Sequence, residues 1–116
     1  MKTMLKATDN KGFSLTFENG LTISVQFGYG NYCDNGHHPD GFEFSKKQEI
    51  TESSNAEIAI WDADGQWYTF PNGDTVMGYC SSNLVAEWID KVSKLPADYI
   101  SMKNDADLNA LESQQF

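Results

Sequence analysis

The sequence predicts an α+β fold: an antiparallel β-meander of about five strands with one main C-terminal helix packed on one face. Two adjoining runs alternate apolar and polar residues. One three-residue turn pattern occurs three times, and a helical apolar stripe follows the last strand. Period-two alternation is the mark of a half-buried strand, whereas spacing of three to four residues marks an amphipathic helix.

In the first pair, Phe13, Leu15 and Phe17 alternate with Ser14, Thr16 and Glu18, and Leu21, Ile23, Val25 and Phe27 alternate with Thr22, Ser24 and Gln26. A two-residue Asn-Gly turn would set Phe17 beside Thr22. The three-residue loop Glu18-Asn19-Gly20 instead pairs 17 with 21, 15 with 23 and 13 with 25, so that every apolar residue shares a face, with Gly20 supplying a positive φ. Ala63-Asp64-Gly65 repeats the arithmetic, pairing 61 with 67, 60 with 68 and 58 with 70. Pro71-Asn72-Gly73 does so again, pairing 70 with 74, 68 with 76 and 67 with 77. The expected strands are 13–18, 21–27, 56–62, 66–70 and 74–79, with a long loop over 28–54.

SSNLVAEWIDKVSKLP sets Leu84, Val85, Trp88, Ile89, Val92 and Leu95 on one stripe, predicting a helix over 83–95. Ser82 or Asn83 can cap its start, Pro96 stops it, and Lys91 and Lys94 lie where the helix dipole favours cations. Residues 97–116 read as a weakly structured tail with a turn of helix around ADLNALE. The 116 residues form one expected domain, 1–116, large enough for a single core.

On this register the last three strands are apolar on both sides. One side carries Ile58, Ile60, Tyr68, Phe70 and Val76; the other carries Ala59, Trp61, Trp67, Met77 and Tyr79. One helix covers one side. The second is left to the 28–54 loop through Phe42 and Phe44, to another copy of the chain, or to a ligand or partner. Trp61, Trp67, Met77 and Tyr79 are therefore the expected interaction face, because paired tryptophans with methionine are enriched at interfaces. Dimerisation is expected before ligand binding.

Composition narrows the chemistry. The net charge is −9, and all eight basic residues are lysines. Residues 1–48 balance five lysines with five acids, while 49–116 set three lysines against twelve acids. Without arginine forks and with an acidic half, direct nucleic-acid binding is not expected, and a basic partner is better suited. MKTMLKATDNKGF has lysines but no apolar run behind them, so neither a signal peptide nor a membrane anchor is expected, and a cytoplasmic protein with free Cys33 and Cys80 follows.

The stretch GYGNYCDNGHHPDG, residues 28–41, concentrates chemistry-bearing side chains. Cys33, His37 and His38 have metal-binding atoms, with Asp34 and Asp40 as oxygen donors, but the C-x3-H-H spacing matches no closed structural site and no matching second pair follows. Gly28-Tyr29-Gly30 lacks the third glycine, the lysine and the helix start of a phosphate loop. Asp62-x-Asp64-Gly65 opens like a calcium loop but is explained by its turn. No nucleophile stands in a catalytic context, so neither enzyme activity nor a cofactor is expected. The stretch reads as a flexible loop that could cover the tryptophan face. Tyr29, Tyr32, His37, His38, Lys46 and Lys47 are its candidate ligand residues.

GFSLTFENGLTISVQFGYGNYCDN, followed by AEIAIWDADGQWYTF and a closing helix, resembles a group of small acidic uncharacterised proteins of bacteriophage genomes, over residues 12 to 95. The resemblance implies an accessory protein of the host-cell cytoplasm that binds a host protein. It would act as an anti-defence factor with a DNA-like acidic surface, or sequester a nucleotide signal at a dimer interface. It carries over no functional residue.

Overall fold

The computed structural model describes residues 2–8, 11–37 and 52–114, with side chains described through Gly36 in the second stretch and Asp107 in the third. Five strands form one antiparallel sheet in the order of the chain: β1 (Met4–Thr8), β2 (Gly12–Thr16), β3 (Thr22–Gln26), β4 (Ala56–Trp61) and β5 (Met77–Cys80). Helices α1 (Ser82–Lys94) and α2 (Tyr99–Gln114) follow, giving the α+β meander with a C-terminal main helix.

The β2–β3 hairpin has the predicted register, with Phe13 opposite Val25 and Leu15 opposite Ile23. Phe17 N–H donates to Leu21 O at 2.9 Å and Gly20 N–H to Phe17 O at 2.9 Å. Gly20, Gly65 and Gly73 have φ of 85°, 82° and 86°, so all three turns place glycine in the left-handed region.

β3 pairs with β4 through Ile23–Ile60 and Val25–Ile58, placing Phe13, Leu15, Ile23, Val25, Ile58 and Ile60 on one front face. α1 lies on that face. Its N-cap Ser81 accepts from Leu84 N–H at 3.2 Å, and Lys91 and Lys94 occupy its last turn. The buried cluster joins Leu21, Ile23, Val25, Ile58, Ile60, Phe70, Val92 and Ile100. The back face carries Thr22, Ser24 and Gln26 opposite Trp61, Ala59 and Glu57.

Three expectations are corrected. First, the fifth strand is β1, an N-terminal edge strand paired with β2 from Met4–Thr16 to Thr8–Gly12. Its residues are nearly all exposed, so burial left no alternation to read in the sequence. Second, 66–70 is not a strand. Trp67 bridges Trp61 and Tyr68 N–H donates to Ile60 O at 2.8 Å, after which the chain leaves the sheet. The Pro71-Asn72-Gly73 turn closes with Phe70 N–H on Asp74 O, but Ile58 pairs with Met77 rather than Phe70, across a bulge. Tyr68 and Phe70 tuck under Trp88 instead, at ring-centroid distances of 5.8 and 5.1 Å. Burying an aromatic ring is worth about 1.5–3 kcal/mol, against about 1 kcal/mol net for a ladder hydrogen bond.

Third, the tail is helical as far as Gln114. Ile100 is buried, Lys103 Nζ lies 5.1 Å from the Tyr68 ring centroid and bonds Asp107 at 2.8 Å, and Asn104 reaches Gln66. The segment has no glycine or proline and no apolar stripe, so tertiary anchoring at its first turns holds a helix that periodicity did not announce.

Candidate functional site

The four residues expected to share one interaction face are divided by the fold. Trp61 and Trp67 form a pair with ring centroids 5.2 Å apart, and Trp67 remains 45% exposed. Met77 lies opposite Ile58 and therefore packs on the front face with the core, because the β4–β5 bulge shifts the register. Tyr79 sits near the other end of β4, five strand residues (about 16 Å) from the tryptophans.

Tyr79 instead meets the loop. Its N–H donates to Tyr32 O at 2.8 Å, both side chains are exposed, and Tyr79 has a φ of 55°, the left-handed region that a bulky residue seldom adopts. Next to it, Gly78 allows close approach: a Cβ there would lie 2.6 Å from Tyr32 Cβ. Glu57 fixes the loop from below, accepting from Tyr32 N–H at 2.9 Å and Asn31 Nδ2 at 3.4 Å.

The described part of the loop is thus built. Gly28 N–H donates to Asn31 Oδ1, Asn35 Nδ2 donates to Phe27 O and Glu52 O, Asp34 N–H donates to Asn55 Oδ1, and Ser54 Oγ–H donates to Asp34 Oδ2. A 3₁₀ turn spans Asp34–His37. Residues 28–37 dock at the Ala56–Glu57 end of β4 rather than over the tryptophans. Tyr29 is half-buried in this loop. His38, Phe42, Phe44, Lys46 and Lys47 lie outside the described residues, as does the side chain of His37.

The same bonds hold one wall of a cleft. Residues Glu52–Ala56 face Phe13, Val25, Phe27, Cys80, Ser82 and Val85 across a cavity of about 310 Å³ on the front face, beside the start of α1. Its lining is mostly apolar; the Ser53 and Ser54 hydroxyls donate within the wall itself, to Asn55 O and Asp34 Oδ2, and Ser82, the Asn55 amide nitrogen and Glu52 add polar groups. Sequence reading missed this cleft. Its residues come from β2, β3, β4, β5 and α1, and the one local sign was the polar run ESSN just ahead of β4.

Neither thiol is poised for chemistry. Cys33 is buried and donates to Gly28 O at 3.6 Å; burial pushes its pKa up. Cys80 is also buried, bonded to Met77 O, and pushed up by burial alone. Metal binding and nucleophilic attack both need the thiolate, which burial disfavours. Asp62 Oδ1 accepts from Asp64 and Gln66 N–H at 3.0 and 2.9 Å, so the turn itself uses this carboxylate. No group of three metal-ligating side chains occurs among the described residues, and no helix among them is long and apolar enough to cross a membrane. A scan of protein-family models and searches of curated proteins and of solved structures found no match.

Proposed function

We propose that the protein acts by binding rather than catalysis, capturing a small ring-bearing molecule in the front-face cleft. The observation that carries this reading is the cavity of about 310 Å³ whose wall the 28–37 loop holds by hydrogen bonds. Ligand sites are concave, mostly apolar, about 300–1,000 Å³ and supplied with a few placed polar groups. Phe13, Phe27, Val25 and Val85 provide apolar walls for a ring, and the Ser82 hydroxyl and the Asn55 amide nitrogen provide polar contacts for its edge. The resemblance to phage proteins gives such capture a purpose, sequestering a host signal in the host-cell cytoplasm.

Native mass spectrometry of the protein purified without chelator reads any retained molecule, and calorimetric titration with nucleosides and mononucleotides reads its class. Filling the cleft with Val85→Trp is expected to abolish binding while leaving the far-ultraviolet circular dichroism unchanged. Binding that survives Val85→Trp, or no binding across the series with nothing retained, would overturn the reading.

A second reading, capture of a basic host protein, is favoured by the half-exposed Trp67 stacked on Trp61 within the acidic part of the chain. Partner capture lost in Trp67→Ala, kept in Val85→Trp and steeply weakened by salt would select it, because exposed charges are screened over about 8–10 Å at physiological ionic strength.

A further inference from the structure

We infer that two copies of this chain join edge to edge through β1, antiparallel and centred on Leu5, into one continuous ten-stranded sheet. The two edges of the sheet are unlike. At β5 the loop intervenes, since Tyr79 N–H is taken by Tyr32 O and Tyr32 packs over Gly78. At β1 every residue from Met4 to Ala7 is exposed, with Leu5 at 84% and Met4 at 50%. An open edge strand is a template for another strand, and proteins that stay monomeric blunt it with shortness, charges (lysine above all), proline, bulges or a covering element. β1 is five residues long and holds Lys6 among the exposed Met4, Leu5 and Ala7. Residues 2–8 contain no proline, and the β1–β2 register is unbroken.

The backbone direction follows from the neighbouring hairpin. Phe17 bonds Leu21, so residues 17, 15 and 13 of the β2 run exchange hydrogen bonds with β3, and by alternation 16, 14 and 12 exchange them with β1. Their partners Met4, Lys6 and Thr8 therefore point their backbone groups inward. The N–H and C=O of Leu5 and Ala7 point away from the sheet.

A second copy is the occupant that suits this edge. Centring on Leu5 puts Leu5 against Leu5 on the front face, flanked by Thr3 against Ala7, beside the shallow groove of Leu15 and Phe17. On the back face Lys6 meets Met4 and Lys2 meets Thr8, so no lysine lies directly opposite another. Centring on Lys6 would oppose the two lysines. Residues 2–8 hold Lys2 and Lys6 and no acid, so the two strands meet with like charge on the back face and the contact should tighten as salt screens it, while the acidic residues 49–116 take no part in the pairing.

Sedimentation equilibrium of the full chain over a wide dilution series tests this, together with amide hydrogen exchange. A dimer of the 13.0 kDa chain is expected, with slow exchange at Leu5 and Ala7. Leu5→Lys should halve the mass without altering circular dichroism, since Leu5 is exposed in the single chain, and should melt at the temperature the parent shows when diluted to monomer. Ala7→Pro, which removes an outward N–H, should do the same. A monomer at all concentrations, fast exchange at Leu5 and Ala7 in a dimer, or a dimer that survives both substitutions would overturn the inference; the last would place the contact elsewhere, as at Trp67.

Discussion

The side chain of Asn19 ends on the main chain of Val92, 73 residues later: its Nδ2 donates to Val92 O at 2.8 Å. The same amide donates to Leu95 O at 2.8 Å, while Asn19 Oδ1 accepts from Leu21 N–H at 3.0 Å. One turn residue thus shapes its hairpin and caps the carbonyl end of α1, where helix carbonyls otherwise lack partners. It locks the helix onto the sheet beside buried Leu21.

Removing that amide should loosen the helix from the hairpin. Asn19→Ala is expected to lower unfolding free energy by about 1–3 kcal/mol, the cost of stranding part-buried polar groups. Asn19→Asp should cost at least as much, because a carboxylate would face two carbonyl oxygens. Urea denaturation followed by tryptophan fluorescence measures both. Equal midpoints for Asn19→Ala and the parent would contradict the capping role.

Docking of the loop depends on the missing side chain at position 78. Gly78→Ala drives a methyl into Tyr32 and should cost about 1–3 kcal/mol, as overpacking does. Faster amide exchange is expected at Tyr32 and Gly36 than at the centre of β3. Because the loop supports the Glu52–Ala56 wall, binding in the cleft should weaken with it. Uniform loss of protection across the sheet would argue against a local role.

The aromatic cluster and the tryptophan pair should differ sharply in what they contribute. Phe70 is 2% exposed and wedged against Tyr68 and Trp88, so Phe70→Ala should cost about 3–5 kcal/mol. Trp67 is 45% exposed and stacks on one neighbour, so Trp67→Ala should cost about 1 kcal/mol. Chemical denaturation of the two variants compares them. A larger loss at Trp67 would mean that it is covered in solution.

Stability should fall in alkaline solution. Burial raises the pKa of Cys33 and Cys80 above the ordinary thiol value of 9.0, and burial, then Tyr99, raises Tyr68 above 10.0. The folded chain then holds these protons to higher pH than the unfolded chain does. As pH climbs through the unfolded values the unfolded state ionises first, so folding loses stability there and keeps it below. The urea midpoint should drop on passing pH 9.0, and the double variant Cys33→Ala with Cys80→Ala should delay the drop toward the tyrosine range. An unchanged alkaline profile in that variant would remove the thiols from the account.

The sequence by itself determined what is local. Glycine at the third position of three loops set the turns, because the left-handed conformation costs glycine nothing. Alternation over 13–27 then set the β2–β3 register, and the Leu84–Leu95 stripe set α1. Only the tertiary structure decided what is competitive. The free edge of β4 could take either Trp67–Phe70 or Met77–Cys80, and burial of Tyr68 and Phe70 under Trp88 gave most of it to β5. That choice moved Met77 to the core face and parted Tyr79 from the tryptophans, so the expected interaction face was not legible. β1 and α2 were hidden for the converse reason: hydrogen bonding and a few anchors hold them, and neither shows a buried stripe that hydropathy could trace. The cleft arises where five elements meet, and no window of the chain contains it.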